Sequence, residues 1–423
     1  MKKTNIFLTI SIFLCGILFL GCDSQSDPVE SSPEPNIRKD IELSGATRTA
    51  AENLNRFYTG FTADMIEYVD NNDNIIDKNV VVSPLSVSMA LGILANGIDQ
   101  THSDLITDYL GIKELTGMNS LSATLLAELP KADNQTKMSI ANAMWVNDAY
   151  SLNANFRNIL ADYYDASPEY GDFRNKGESV KNKINKWCSD KTEGLIPQII
   201  DFVSDSHYAI ILDALYFKGK WSDSPFSKEN TAEADFHGYS RTTKVNMMHA
   251  GHKERLYASD TNFKAFSIPF GNGSFSFMVV VPEENVSRED AVRLLTPETL
   301  ESLKDRLSYT DLEIFLPKFK CECNFILSEA FRNGKLAGLN DAMQFTMFDP
   351  ELTATPFIRH ASSVEIDESG AEAAAATIVD IYTSAPAGST PQKYTVTVDR
   401  PFFFFINEKS TGACLLSGRI AEL

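Results

Sequence analysis

The chain has 423 residues, 43% hydrophobic, 22% charged and 10% aromatic, proportions that fit a globular protein with a large core. Its formal net charge of −19 argues against phosphate-backbone binding, because nucleic-acid binders concentrate Lys and Arg. The same charge suits solubility outside the cell, and the 27 phenylalanines favour packed sheet over a helical bundle.

Taken from the N-terminus, Lys2 and Lys3 precede an apolar run from Ile6 to Leu20. The run has the form of an export signal and is short for a membrane span with flanks. It ends Phe19-Leu20-Gly21-Cys22, which resembles a bacterial lipobox, with Cys22 as the lipid attachment residue. Phe19 departs from the usual Leu, and the alternative is an ordinary signal peptide cleaved nearby. Asp23 to Asp40 is rich in Ser, Pro, Asp and Glu without apolar periodicity, the composition of an extended tether. The expected organisation is therefore a signal over 1–21, a tether over 22–46 and a folded domain over 47–423. The expected location is that of an exported bacterial lipoprotein, on either face of the outer membrane or extracellular.

Ala50 to Val69 carries a helical stripe of Leu54, Phe57, Phe61, Met65, Ile66 and Val69. Asn79 to Ser83 reads as a short buried strand. A small-residue helix follows over Leu85 to Ala95, with Ser86 placed to cap it. Ile140 to Val146 alternates as a strand; Phe156 to Tyr164 and Ser179 to Lys191 read as helices, the second closed by Gly194. Tyr208 to Phe217 is a long apolar run, as in a central strand covered on both faces. Phe275 to Val281 and Leu312 to Phe319 read as strands, with a helix over Thr299 to Leu307 between them. Tyr394 to Val398, Phe402 to Ile406 and Cys414 to Ile420 are the last strands. Cys188, Cys321, Cys323 and Cys414 are expected to be reduced, structural residues: a bridge between Cys321 and Cys323 would be strained, and no zinc spacing exists. The class is α+β.

One segment breaks the pattern. Val364 to Glu368 alternates, Ser369-Gly370 follows, and Ala371-Glu372-Ala373-Ala374-Ala375-Ala376-Thr377 has helix propensity without an amphipathic stripe. A long stretch with Pro386, Gly388 and Pro391 then runs to Tyr394. Loops of this length inside a compact domain are usually functional or disordered.

That segment resembles the hinge motif of the serpin family. Further family landmarks occur in order: Asn79-Val-Val-Val-Ser83-Pro84-Leu-Ser86, Ile184-Asn-Lys-Trp187 with Thr192 and Gly194, Leu212-Asp213 through Trp221, Leu316-Pro-Lys-Phe319, Arg400-Pro-Phe-Phe-Phe404 and Gly418-Arg419. The resemblance implies a serpin fold of three β-sheets, eight to nine helices and an exposed reactive-site loop over about 368–395. It implies a suicide substrate of proteases rather than an enzyme. A protease cuts the loop, an acyl-enzyme forms, and the hinge then enters the main sheet as a strand.

The residues fit that motion. Ala371, Ala373, Ala375 and Thr377 form one small alternate set, Glu372 lies in the other, and no Pro interrupts Ser369 to Ala385, as a buried central strand requires. Counting as in the family from Glu368 places the scissile bond at Ser384-Ala385, within a window of Ile381, Tyr382, Thr383 and Pro386. The window lacks Lys and Arg, so elastase-, chymotrypsin- or subtilisin-like serine proteases are the expected partners, with cysteine proteases a further class.

The resemblance assigns control of sheet opening to Ser83, Ser86, Asp213, Trp221 and His360. Asp213 stands where the family usually has Asn, and could pair with a protonated His360. No cofactor, metal or heparin-type activator is expected, since Leu121 to Lys137 carries only Lys131 and Lys137. His249 and His252 are read as surface or capping histidines. The expected state is a monomer. Competing readings are a non-inhibitory serpin-fold binding protein and a surface lipoprotein that binds glycans or a host protein.

Overall fold

The computed structural model describes residues 36–72, 78–370 and 392–423. Cys22, the hinge residues after Gly370 and the whole scissile window lie outside the described residues.

Helix α1 (Gly45–Asp70) buries the expected stripe of Leu54, Phe57, Phe61, Met65, Ile66 and Val69. Helix α2 (Pro84–Ala95) starts one residue earlier than its apolar pattern suggested. Ser83, not Ser86, is its cap: the Ser83 hydroxyl accepts from the Ser86 amide at 3.3 Å, and Pro84 occupies the first turn, where a missing N–H costs nothing. Helices α3 (Gln100–Leu110), α4 (Leu115–Glu128) and α5 (Ala154–Tyr164) pack beside α1 and α2. Helix α6 (Phe173–Lys191) begins earlier than read, capped by Asp172, and kinks at Lys176. Helices α7 (Arg288–Leu294), α8 (Pro297–Arg306) and the single turn α9 (Leu327–Ala330) complete the set.

The largest sheet has nine strands. Its path runs β1 (Val80–Val82), β16 (Cys414–Ile420), β15 (Phe402–Glu408), β8 (Phe275–Pro282), β7 (Phe263–Phe270), β6 (Thr242–Ser259), β9 (Ser308–Pro317) and β14 (Lys393–Thr397), with β5 (Ala232–His237) added on β6. The run Leu312 to Phe319 is two strands rather than one. Pro317 ends β9, and the Lys318 amide bonds to the Asn246 carbonyl at 2.8 Å, after which β10 (Phe319–Ile326) joins another sheet. Lys393 to Thr397 pairs in parallel with β9, so the expected loop over 368–395 is anchored as a strand at its C-terminal end.

The other main sheet comes in two pieces. One is β3 (Pro168–Gly171), β2 (Thr136–Asn147) and β4 (Ala209–Gly219); the other is β10 with β13 (Arg359–Ile366). A small hairpin of β11 (Met343–Phe345) and β12 (Leu352–Ala354) lies apart. Strand β4 is paired along its whole length to β2, from Ala209 opposite Val146 to Gly219 opposite Thr136. Its two faces serve different cores. Leu215 belongs to the main core, with Ile211 and Phe217 packed on it, while Ile210, Leu212 and Ala214 join Ile184 and Cys188 of α6 in a second cluster. All four cysteines described are unbridged.

Candidate functional site: the seam between β4 and β13

Strands β4 and β13 run parallel as neighbours, yet among the described residues they are joined by a single bridge, Ile211 with Ile358, the residue just before β13. Each has a secure partner on its other side, β2 for β4 and β10 for β13. Parallel pairing is the weaker ladder, and here it is nearly absent. The residues assigned to sheet opening sit along this seam.

At its top, Trp221 is buried and stacks on Phe270 with ring centroids 4.6 Å apart. Its indole nitrogen donates to the Asp367 carbonyl at 3.0 Å, and its amide donates to the Ser369 carbonyl at 3.4 Å. Glu368 is also buried; its carboxylate accepts from the Thr231 hydroxyl and meets the Lys318 ammonium, each at 2.9 Å. Burial raises the Glu368 pKa, but the Lys318 bond, its own backbone amide and Thr231 outweigh this and hold it below the usual range. Gly370 bridges Lys220 in antiparallel fashion. Its φ is +85°, and an added Cβ would stand 2.6 Å from the Gly219 carbonyl, so glycine is required there. Gly370 is therefore held beside Lys220, just past the end of β4, at the top of the seam.

Midway down lie Ser83, Ser86, Asp213 and His360, all buried. The Ser83 amide donates to His360 Nε2 at 2.9 Å, and the Ser362 hydroxyl donates to the Val81 carbonyl at 2.6 Å. These bonds tie β13 to β1 and α2, not to β4. Neither Asp213 carboxyl oxygen has a hydrogen-bond partner, nor does the Ser86 hydroxyl. Burial pushes the Asp213 pKa up to about 7; the Ser86 hydroxyl opposes this from a position short of a hydrogen bond. Burial pushes His360 down to about 4. The pairing suggested by the sequence does not form. No Asp213–His360 ion pair exists among the described residues, and with these pKa values both groups are neutral between about pH 4 and 7. Desolvation dominates both, and the histidine spends its free lone pair on Ser83.

At the base, an apolar cavity of about 70 Å³ adjoins the Ile211–Ile358 bridge, walled by Leu94, Met144, Ala209, Ile211, Phe348 and Ile358 among others. Sequence reasoning missed Thr231, which carries no local signal, and gave no role to Lys318, although it stands inside the Leu316-Pro-Lys-Phe319 landmark. His249 and His252 pair with carboxylates, His249 with Glu313 at 3.0 Å and His252 with Asp311 at 3.1 Å. No metal-holding group exists among the described residues.

The family model "Serpin (serine protease inhibitor)" matches residues 57–423. This chain belongs to the serpin family. Leukocyte elastase inhibitor A from Rattus norvegicus is 29% identical over 361 residues, covering 81% of this chain and 93% of that protein. The native-state crystal structure of tengpin, a thermophilic serpin, superposes with a TM-score of 0.74 at 25% identity, covering 92% of this chain and 97% of that one. Human thyroxine-binding globulin, solved with its hormone, shares the fold at a TM-score of 0.76 and 20% identity, over 89% of this chain and 99% of that one.

Two consequences are measurable. Asp213 binds its proton more tightly folded than unfolded, so this serpin loses stability as pH rises from about 4 through 7. Asp213→Asn removes that loss: relative to wild type the variant gains on the order of 2 kcal/mol between pH 5 and pH 8 in urea unfolding, and a constant difference would contradict the account. Glu368 has the opposite sign, stabilising above its unfolded pKa. Lys318→Met is expected to cost about 1 kcal/mol at pH 7, because half of the pair is exposed. Melting curves should show that deficit closing as pH falls through the lowered Glu368 pKa and the carboxylate becomes protonated.

Proposed function

We propose that this serpin is an inhibitor of serine proteases that acts as a suicide substrate, and that it is carried as a lipid-anchored exported protein through Cys22. The protease serine oxygen attacks the carbonyl carbon of Ser384, its proton passing to the protease's own base. That base then gives the proton to the Ala385 nitrogen as the Ser384–Ala385 bond breaks, leaving an ester between the protease and Ser384. Water would complete hydrolysis of this ester. Entry of the hinge into the seam instead carries the protease away and distorts its oxyanion hole before water arrives. No side chain of the serpin takes part in the bond chemistry.

The observation that carries this reading is the seam. Among the described residues, β4 and β13 lie side by side with a single bridge at their base, and Gly370 is bridged to Lys220 at the other end of β4. A strand entering there runs antiparallel to both neighbours and replaces a poor parallel contact with two good ladders. The alternate set Ala371, Ala373, Ala375 and Thr377 can be buried without charge or overpacking. A carrier role, as the thyroxine complex on this fold illustrates, would not call for such a set.

The small Ser384 and the absence of Lys and Arg in the window favour elastase-like targets; the similarity to a leukocyte elastase inhibitor supports the same choice. Mixed with elastase, the protein should give a complex of summed mass that survives boiling in detergent, and trypsin should give far less. Quantitative cleavage by elastase, chymotrypsin and subtilisin without any such complex would refute the inhibitor reading.

A further inference from the structure

We infer that the outer face of helix α6 is a docking surface for an anionic lipid bilayer, held through the phosphates of its headgroups. The inference rests on the anchor proposed at Cys22 and adds which side of the anchored molecule is turned to the membrane.

Charge singles this helix out. The chain as a whole carries −19, with 57 Asp and Glu against 38 Lys and Arg. Six of those cations, Arg174, Lys176, Lys181, Lys183, Lys186 and Lys191, lie within the 19 residues of α6, against only Glu178 and Asp190. Both carboxylates are already paired, Glu178 with Lys181 at 2.6 Å and Asp190 with Lys186 at 2.8 Å. The capping Asp172 is occupied by the Asn175 amide at 2.8 Å. Arg174, Lys176, Lys183 and Lys191 are exposed and make no ion pair among the described residues.

The fold gathers these cations on one side. Phe173, Val180, Ile184 and Cys188 point into the second core cluster. The outer side is an open groove lined by Asn175, Lys176, Ser179, Asn182, Lys183 and Lys186, together with the neutralised Glu178. Lys183 follows Lys176 by two turns and Lys186 follows by about one more, a line of charge about 15 Å long. Ser179 and Asn182 set neutral donors between the lysines. Every exposed residue of the helix is polar or charged, so nothing enters the hydrocarbon and the contact stays salt-sensitive. Each cation beside an anionic membrane strengthens binding roughly five-fold. The rest of the molecule is acidic and is repelled by the same membrane, which selects one orientation.

The anchor meets the body near this helix. Glu193, just past α6, pairs with Lys137 of β2. Asp133, four residues before Lys137 and so within about 14 Å of it, accepts from Asn36 Nδ2 at 2.7 Å. Fourteen residues separate Cys22 from Asn36, a covalent limit of about 50 Å. A lipid at Cys22 therefore keeps this end of α6 within tens of ångströms of the bilayer, and even a weak patch is then effective.

The test uses the lipidated protein reconstituted in vesicles whose headgroups carry an energy acceptor. A donor dye is placed in the groove at Ser179→Cys and, as reference, at Ser302→Cys on α8, which packs against α1 and β6. With phosphatidylglycerol mixed into phosphatidylcholine, transfer from position 179 should exceed transfer from position 302 several-fold. The excess should vanish on pure phosphatidylcholine, in molar salt, and in the triple variant Lys176→Gln, Lys183→Gln, Lys186→Gln. Equal transfer on neutral and anionic vesicles, or no change in the triple variant, overturns the proposal. So does dextran sulfate binding in the groove without any approach to anionic vesicles, which would assign the face to a soluble polyanion. Flotation on pure phosphatidylcholine reads the anchor by itself: a protein that does not float there has no lipid at Cys22, and the parent reading fails. The α6 face then still stands or falls by whether the protein binds anionic vesicles at least ~10-fold more tightly than the triple variant does.

Discussion

The fold turns on a contact that is deliberately incomplete. Strand β4 spends one edge on eleven paired residues of β2 and offers the other to β13 at a single bridge. A central strand with half its pairing capacity unused is costly, because backbone groups in a sheet interior are otherwise almost always paired. The chain holds this state by fastening β13 elsewhere, to β10 along eight residues and to β1 and α2 through His360 and Ser362. The sheet is thereby built as two stable leaves meeting at a weak line. Strain of this kind persists where the surrounding structure over-determines it.

The polar residues along that line follow the same logic. Glu368 at the top is fully satisfied by Thr231 and Lys318. Asp213 in the middle is the reverse, a buried carboxyl with no partner. A buried acid that keeps its proton up to about pH 7 lowers the stability of the closed state as the solution becomes more alkaline. Ser83 and His360 meanwhile lock the helix α2 entry to β13 without reference to charge. Polar contacts along the seam are thus complete at the rim and incomplete at the centre.

Much of this was legible in the chain itself. The long apolar run from Tyr208 to Phe217 marked the strand β4 that has a different core on each face. Helix positions followed from apolar spacing at α1 and α5. What could not be read was anything that depends on which strand a residue faces. Ser83 and Ser86 stand three apart, and only the backbone direction at Pro84 decides which of them caps α2. Lys318 interrupts an apolar run, and its role exists only because Glu368 folds back beside it from fifty residues away. The pairing of Asp213 with His360 was chemically sensible, yet burial moves their pKa values in opposite directions and leaves both neutral. Thr231 carries no mark at all.

Everything assigned to the seam requires that a further strand be more stable inside it than outside. Thermal unfolding of the intact protein and of the protein nicked between Ile381 and Pro386 measures this directly. About ten newly ordered residues bonded on both edges should contribute at least ~5 kcal/mol net, which in a chain of this size raises the melting temperature by about 6 °C or more. A nicked form that melts at the same temperature as the intact one would show that nothing has moved into the gap.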